Sequence, residues 1–290
     1  MIKLDQITKS FGKNTVLKEI TLSITKGEIF GLIGKNGAGK TTLLSIIAGL
    51  SDATNGTCII KGRHSSKETR LDNISYLPDV PTFFDHMTVK EFLDFLYMKK
   101  SGYKEKRDNL IRLVGLNGNT IIKTMSRGMR QRLGMAATLV NDPDIILLDE
   151  PSSALDPMGR YELSQILLHL KQQGKTIILS THILTDMETI CDRVGFLHNG
   201  KIEKILSPKN TDNSQNIQLV FSKPVNEKDF FDLPLSITYE SDCTILLTGN
   251  MQHTKIQKAL LYKLYQLDNS ILAVNAIGTN LDEVFREVCL

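Results

Sequence analysis

The sequence predicts an α/β fold built on a parallel sheet, followed by a small α+β module. Short apolar runs rich in β-branched residues alternate with stretches of helical pattern, which is the arrangement that favours parallel strands. A glycine-rich segment joins one apolar run to a helix, and a polar, turn-rich segment precedes residues 217–290. A chain of 290 residues exceeds one ordinary domain, which favours a large domain and a small one.

The composition indicates a globular protein of ordinary character. Hydrophobic residues make up 41% and charged residues 23%, and a net charge of +3 is too weak by itself to indicate a nucleic-acid partner. The four cysteines lack C-x-x-C spacing, so we expect reduced cytosolic thiols rather than disulfides or a zinc site. The N-terminus lacks the apolar core of a signal peptide. No apolar run approaches the roughly 20 residues needed to span a bilayer.

The first part of the chain predicts edge strands, buried strands and an apolar helix. The first two runs alternate as strands near a sheet edge do, whereas the later runs are short and apolar throughout, as buried parallel strands are. The predicted strands are Ile2–Ile7, Val16–Ile24, Glu28–Ile33, Ile145–Leu148 and Thr176–Leu179, and the predicted apolar helix is Thr42–Leu50.

A helix-rich region, about residues 84–141, is predicted between these strands. Thr88 and Glu91 fit a capping box at the start of the first helix, and Ser126 can cap the third. The third helix should end near Asn141, because Pro143 follows. The first two predicted helices are Val89–Lys99 and Tyr103–Leu113.

A domain boundary is predicted in the polar segment at residues 209–216, between a main domain at 1–208 and a module at 217–290. The module lacks a ligand-spaced cluster of histidines, cysteines or acids. We favour a structural or dimer-supporting role for it, with effector binding as the alternative. Its predicted strands are Ile217–Phe221, Leu235–Tyr239, Thr244–Thr248 and Ser270–Ala276, and its predicted helices are Gln252–Gln266 and Asn280–Val288.

A phosphate-binding loop is predicted between an apolar strand and an apolar helix. The segment fits G-x-x-x-x-G-K-[ST], in which glycines let backbone N–H groups turn towards phosphate oxygens and the helix start adds its positive dipole end. Lys40 would supply charge to the β- and γ-phosphates, and the Thr41 hydroxyl would bind Mg²⁺. The predicted ATP-binding residues here are Gly34, Lys35, Asn36, Gly37, Ala38, Gly39, Lys40, Thr41 and Thr42.

Two adjacent carboxylates follow the strand Ile145–Leu148. The carboxyl ends of strands are where α/β sheets place ligands. We expect Asp149 to hold Mg²⁺ through water and Glu150 to polarise the attacking water as a general base. The plainer alternative is a solvated acidic strand end.

These motifs, with four others in the same order, resemble the ATP-binding subunits of ABC transporters over residues 1 to about 208. The resemblance implies a P-loop NTPase core of the ABC ATPase type, with a helical subdomain and an antiparallel β edge. It also implies further site residues with distinct roles. These are Phe11 and Val16 at the adenine, the signature residues Ser126, Arg127, Gly128 and Met129 at the γ-phosphate of an opposing subunit, Asp156 in communication across the dimer, and His182 as a switch at the γ-phosphate.

The resemblance implies a shared mechanism with ATP and Mg²⁺ as cofactors. Two ATPase subunits, identical or paralogous, would enclose two ATP molecules, with each site using one subunit's phosphate loop and the other's Ser126 helix. ATP would close this dimer and hydrolysis would reopen it. A transmembrane permease would convert that motion into transport, so we expect a peripheral location at the cytoplasmic face of a bacterial membrane.

Two positions depart from the family pattern. Asp79 stands where most members have glutamine, so it could bind Mg²⁺ more tightly but orient water less well. Arg127 replaces the first glycine of the signature, and it could lie near the opposing triphosphate or simply in solvent. Both departures resemble the group paired with ABC-2-type permeases, which exports drugs, bacteriocins and lantibiotics or confers immunity to them.

Two other functional classes are alternatives to export. Soluble ABC proteins of DNA repair, chromosome structure or translation usually carry coiled-coil insertions, zinc cysteines or tandem ATPase domains, none of which this sequence contains. We therefore expect no nucleic-acid partner. A sensor or immunity module that uses ATP without net transport would differ only in its partner, so that alternative stays open.

Overall fold

A computed structural model describes residues 1–66, 73–97, 102–208, 216–226, 230, 235–248, 254–266, 270–277 and 281–289. Parts of several predicted elements lie outside these residues. They are residues 98–99 of the first predicted helix of the helical region, 209–215 of the linker, 252–253 of the module's first helix, and 280 at the start of its second.

The central sheet has six strands in the order β10-β9-β3-β8-β7-β6, and all neighbours are parallel except β9 and β10. Every residue of β3, β7 and β8 is buried, which explains why these strands are apolar throughout rather than alternating. The strands are β3 (Ile29–Ile33), β6 (Ile74–Leu77), β7 (Ile145–Asp149), β8 (Thr176–Thr181), β9 (Arg193–His198) and β10 (Lys201–Leu206).

A second, antiparallel sheet has the order β2-β1-β4-β5. Its first two strands alternate between buried and exposed residues along much of their length, as expected when only one face of a sheet is covered. The strands are β1 (Ile2–Phe11), β2 (Asn14–Ile24), β4 (Asn55–Ile60) and β5 (Arg63–His64).

Six helices lie in the described part of residues 1–208, and side-chain caps explain where two of them begin. Thr88 and Glu91 form the predicted capping box, with backbone N–H to side-chain oxygen distances of 2.8 and 3.2 Å. Ser126 caps α4, as predicted. The helices are α1 (Lys40–Ile47), α2 (Val89–Tyr97), α3 (Tyr103–Leu113), α4 (Arg127–Leu139), α5 (Pro157–Gln172) and α6 (Leu184–Ile190), with a short 3-10 turn at Ile122–Thr124.

One hydrophobic core joins the two sheets to α1. Phe30, Leu32 and Leu147 from the central sheet pack with Leu43 and Leu44 of α1, and the inward residues of the antiparallel sheet complete this cluster. The opposite face of the central sheet packs against α5 and α6. The first turn of α1 is therefore fixed beside the carboxyl ends of β3, β7 and β8.

The chain divides into two compact units, Met1–Pro208 with Phe285–Leu290, and Lys209–Val284. The second unit contains an antiparallel sheet in the order β12-β13-β11-β14, whose core includes Leu219, Phe221 and Ile245. The tail elements are β11 (Asn216–Phe221), β12 (Ser236–Ser241), β13 (Thr244–Thr248), α7 (Thr254–Gln266), β14 (Ile271–Ile277) and α8 (Leu281–Cys289). None of the helices in the described ranges is long and apolar enough to cross a bilayer.

The predicted helices and strands occur in the structure, some with shifted bounds, and the structure contains further elements that were not predicted. The predicted α/β class and the helix Tyr103–Leu113 are confirmed, whereas the first two strands are longer than expected and the apolar helix begins at Lys40. The sequence analysis assigned no helix or strand to several elements that the structure contains. These elements are β4, β5, β6, α5, α6, β9 and β10.

Leu147→Ala should destabilise the main domain by about 2–5 kcal/mol, since Leu147 is fully buried on β7 and its truncation leaves a cavity. Urea denaturation followed by circular dichroism measures the change. Leu50→Ala is the matched control, because Leu50 is 57% exposed and its loss should change stability by no more than about 0.5 kcal/mol. Equal effects of the two substitutions would contradict the central position of β7.

Candidate functional site

The predicted phosphate loop lies between β3 and α1. Gly39, at the N-cap of α1, has φ 108°, a left-handed conformation that other residues rarely adopt. A Cβ atom added to Gly39 would lie 2.6 Å from Leu17 Cδ2. The positive φ therefore favours glycine here, and the N-cap leaves the first N–H groups of α1 free of a side-chain cap.

Lys40 is buried inside its own loop. Its Nζ donates to the carbonyl oxygens of Gly34 at 2.7 Å and Lys35 at 3.3 Å, and it lies 3.3 Å from Glu150 Oε1. Only 6% of the residue is exposed. The ammonium group is thus positioned between the loop and the carboxyl end of β7, where triphosphate oxygens could replace its present partners.

Asp149 ends β7 and is clamped from both neighbouring strands. Ser180 of β8 donates to Oδ1 at 2.6 Å, and the Tyr76 hydroxyl of β6 donates to Oδ2 at 3.3 Å. Burial first, and then the charge of Asp149, raise the pKa of Tyr76 to about 12, so its hydroxyl stays a donor. The sequence analysis missed both donors, because strand order, which no local pattern reveals, brings them to Asp149.

Glu150 leaves the strand in a left-handed conformation, with φ 48°. Its backbone N–H lies 3.1 Å from both the carbonyl oxygen and the hydroxyl of Ser180, which holds this turn against β8. The carboxylate contacts Lys40 through Oε1 and His182 Nδ1 through Oε2, at 2.8 Å. Lys40, Glu150 and His182 therefore form one connected chain of polar contacts.

His182 follows β8 and is the exposed end of this chain, with 54% of its side chain accessible. When Glu150 is ionised, Nδ1 carries the proton that bonds to it, which leaves Nε2 free to face a ligand. The two predicted catalytic residues thus lie in direct contact.

The signature residues form the start of α4, in a second cluster. The Ser126 hydroxyl accepts from the Met129 N–H at 3.2 Å, and an added Cβ on Gly128 would lie only 3.0 Å from the Ala154 carbonyl oxygen. Arg127 is 66% exposed and its NH2 lies 3.7 Å from Asp79 Oδ1. Asp79 also accepts from the Ser153 hydroxyl at 3.1 Å. The two departures from the family pattern are therefore neighbours.

The two clusters do not meet within the part of the chain that the structure describes. The contacts of Ser126–Met129 are with their own helix, Asp79 and Ala154, and none reaches Lys40 or Glu150. Asp156 is the N-cap of α5 and accepts from the Gly159 N–H at 2.9 Å. The described residues thus form two separate clusters, one at the phosphate loop and one at the start of α4.

Phe11 presents an exposed ring at the end of β1. The ring is 56% exposed, and Lys9 Nζ lies 4.9 Å from its centroid. Val16, on β2, is half-buried and contacts the phosphate loop near Gly39. An aromatic face open to solvent is compatible with stacking on a purine.

The predicted metal residues offer only oxygen donors, which suit Mg²⁺. Thr41, in the first turn of α1, is exposed, and Asp149 is buried with both of its oxygens held by donors. Asp79 differs, because its Oδ1 is engaged by Ser153 and Arg127. The donor set fits the ion, and it fits best at Thr41 and Asp149.

Comparisons with known proteins agree with this geometry. Residues 17–153 match the family model described as ABC transporter. The chain is 42% identical over 194 residues to an uncharacterized ABC transporter ATP-binding protein, sll0415, of Synechocystis sp., and the match spans 64% of this chain and 55% of the relative. It is 35% identical over 227 residues to the lantibiotic transport ATP-binding protein SrtF of Streptococcus pyogenes, spanning 78% of this chain and 97% of the relative.

The fold also matches a solved structure, the dimeric post-hydrolysis state of the ATP-binding cassette MJ0796 bound to ADP and Pi. The TM-score is 0.66 with 28% sequence identity, and the match covers 72% of this chain and 99% of MJ0796. Together, the phosphate loop, the paired carboxylates, the signature helix and these relatives lead to one assignment. The chain belongs to the ATP-binding subunits of ABC transporters, and it is an ATPase.

Proposed function

We propose that this chain powers export of a drug or of an amphipathic or antimicrobial peptide through separate membrane subunits. The observation that carries the catalytic part of this proposal is the chain of contacts from Lys40 through Glu150 to His182. It brings a phosphate-binding cation, a candidate base and a candidate switch into one connected unit. Such direct contact between a base and its orienting group is typical of hydrolytic sites.

Glu150 is the general base of the proposed reaction. Its carboxylate lies at the strand end with 12% of the side chain exposed, so little water competes for it. When ATP binds, the triphosphate gives Lys40 stronger anionic partners than Glu150. Oε1 of Glu150 is then free to accept a proton from the attacking water, while His182 holds Oε2 and orients the carboxylate.

Mg²⁺ bound with ATP would be held by Thr41 and Asp149, with Asp79 as a further candidate ligand. The ion supplies charge neutralisation at the β- and γ-phosphates. The chain's own residues contribute the phosphate loop, the base and the orientation of both.

A second subunit, identical or paralogous, would complete each ATP site with its Ser126 helix. Two features support this sharing: the start of α4 lies in a cluster separate from Lys40, and MJ0796 forms a dimer in its post-hydrolysis state. The ion pair of Arg127 and Asp79 is largely exposed, and such pairs contribute only about 0–1 kcal/mol. A triphosphate could therefore replace Asp79 as the partner of Arg127. The alternative, in which the Arg127 side chain stays in solvent beside Asp79, is also compatible with the dimer.

The substrate class rests on the departures from the family pattern and on one relative. SrtF is a lantibiotic transport ATP-binding protein, and lantibiotics are peptides of the proposed class. A finer candidate substrate that we propose is the phenol-soluble modulins of staphylococci, which are amphipathic peptides. An immunity or sensing role would use the same ATPase with a different partner. In each case we propose a peripheral location at the cytoplasmic membrane face and no nucleic-acid partner.

An exposed aromatic patch supports docking to an ABC-2-type permease. Phe84 and Phe95 pack edge to face at 5.6 Å yet are 47% and 56% exposed. We call these two residues the aromatic patch. Phe84 lies in the segment between Asp79 and α2, and Phe95 lies on α2. Val80, in the same segment as Phe84, is 66% exposed. Exposed aromatic clusters of this kind mark protein interfaces, and the loop that carries Asp79 faces the membrane partner in the family.

Glu150→Gln should retain ATP binding but lose hydrolysis by about 10²–10⁴-fold, because the amide cannot take up the proton of the attacking water. Phosphate release measures turnover, and light scattering after gel filtration with ATP should show an accumulated dimer. Glu203→Gln, an exposed position on β10, is the matched control and should behave as wild type. Normal turnover in Glu150→Gln would exclude Glu150 as the base.

A mixture of Ser126→Arg and Lys40→Ala subunits should regain activity if the ATP sites are shared. The heterodimer has one site with both defects and one with neither, so we expect about half of the wild-type turnover per dimer, whereas each homodimer should be inactive. Phosphate release from doubly tagged, purified heterodimers measures this. Absence of any activity would indicate that each subunit works alone.

Phe84→Glu and Phe95→Glu should weaken assembly with the permease at least about tenfold, because loss of an aromatic anchor is costly at an interface. Co-purification of the two subunits from detergent measures the assembly. ATP binding by the isolated chain should not change. Tyr161→Glu on α5, where Tyr161 is 60% exposed, is the control, and equal assembly of all variants would contradict docking at the aromatic patch.

A further inference from the structure

The Tyr76 hydroxyl is a polar group at the site to which the proposed reaction assigns no task. We propose that Tyr76 is a positioning residue that fixes the Asp149 carboxylate for the metal ion of Mg-ATP. The inference rests on the proposed role of Asp149 at the metal, and it adds a residue that none of the sequence motifs includes.

The contacts at Asp149 form a clamp across three strands. Asp149 ends β7 and is 1% exposed, with β8 on one side and β6 on the other. Ser180 of β8 holds Oδ1 at 2.6 Å and Tyr76 of β6 holds Oδ2 at 3.3 Å. Each oxygen has its own donor from an opposite side, so rotation of the carboxylate would break at least one hydrogen bond.

The Tyr76 ring and the Tyr76 hydroxyl have separable tasks. The half-buried ring packs against the main core, next to Leu147, which it pairs with across β6 and β7. The hydroxyl reaches Asp149, and the Ser45 side chain on α1 also interacts with it. A phenylalanine would therefore keep the packing of the ring and remove the hydroxyl, with its bond to Asp149 and its interaction with Ser45.

The Tyr76 hydroxyl faces Asp149 as a hydrogen-bond donor, on the side of the carboxylate opposite to Ser180. Groups that hold metal-ligating carboxylates in this way typically change metal affinity by about 10–100-fold when they are removed.

The test uses the full chain carrying Glu150→Gln, so that ATP persists, and Mn²⁺ as the metal probe. Titration of Mn²⁺ in the presence of ATP, followed by electron paramagnetic resonance, gives the metal affinity. Binding of a fluorescent ATP analogue in excess EDTA gives the metal-free nucleotide affinity. Tyr76→Phe should weaken Mn²⁺ binding about tenfold and leave metal-free nucleotide binding unchanged.

Tyr97→Phe is the matched control. Tyr97 lies on α2 and is 4% exposed, so this substitution also removes one hydroxyl from a buried tyrosine, but away from Asp149. It should change neither affinity. In an Asp149→Asn background, Tyr76→Phe should change the Mn²⁺ affinity much less, because the carboxylate that Tyr76 positions is absent.

The outcomes separate this inference from the proposed function. If Asp149→Asn weakens Mn²⁺ binding but Tyr76→Phe does not, the positioning role is overturned while the metal role of Asp149 stands. If Tyr76→Phe weakens metal-free nucleotide binding equally, Tyr76 is only a packing residue and the inference is likewise overturned. If neither substitution affects Mn²⁺ binding, both assignments fail.

Discussion

Three parallel strands, β3, β7 and β8, end at the same edge of the central sheet. The segment that follows each strand carries one residue of the site. Lys40 follows β3, Glu150 follows β7 and His182 follows β8. Because parallel strands pair in a fixed register, these three residues must lie close together. The remaining features of the site, from the loop glycines to the clamp on Asp149, depend on this shared edge.

The electrostatics of the edge follow from burial. Lys40 and Glu150 are both largely buried, so each needs a partner of opposite charge or several hydrogen bonds. Lys40 uses the loop carbonyls and Glu150, while Glu150 uses Lys40 and His182. A triphosphate would be a stronger partner for Lys40 than Glu150 is. In the proposed reaction, nucleotide binding would therefore change the partners of Glu150 as well as the occupancy of the loop.

The second cluster depends on a different constraint, the start of α4. Ser126 caps the helix and Gly128 lies against Ala154, so the signature helix is fixed to the segment that follows Glu150. Asp79 contacts both Arg127 and Ser153, which joins the two unusual residues of this chain to the same segment. Asp79 therefore contacts both the signature helix and the segment that follows Glu150 within one subunit.

The sequence alone determined the family and the α/β class, and it predicted the candidate residues of the main site. The phosphate loop, Asp149-Glu150 and the capping residues are local patterns, in which identity and spacing specify the backbone conformation. The sequence did not determine that Tyr76 and Ser180 hold Asp149, that Lys40 pairs with Glu150, or that Arg127 pairs with Asp79. These pairs lie 45 or more residues apart in all but the Ser180 case, and strand order and helix packing bring them together. Only the tertiary structure could decide them, because contacts between distant residues depend on sheet topology rather than on local propensity.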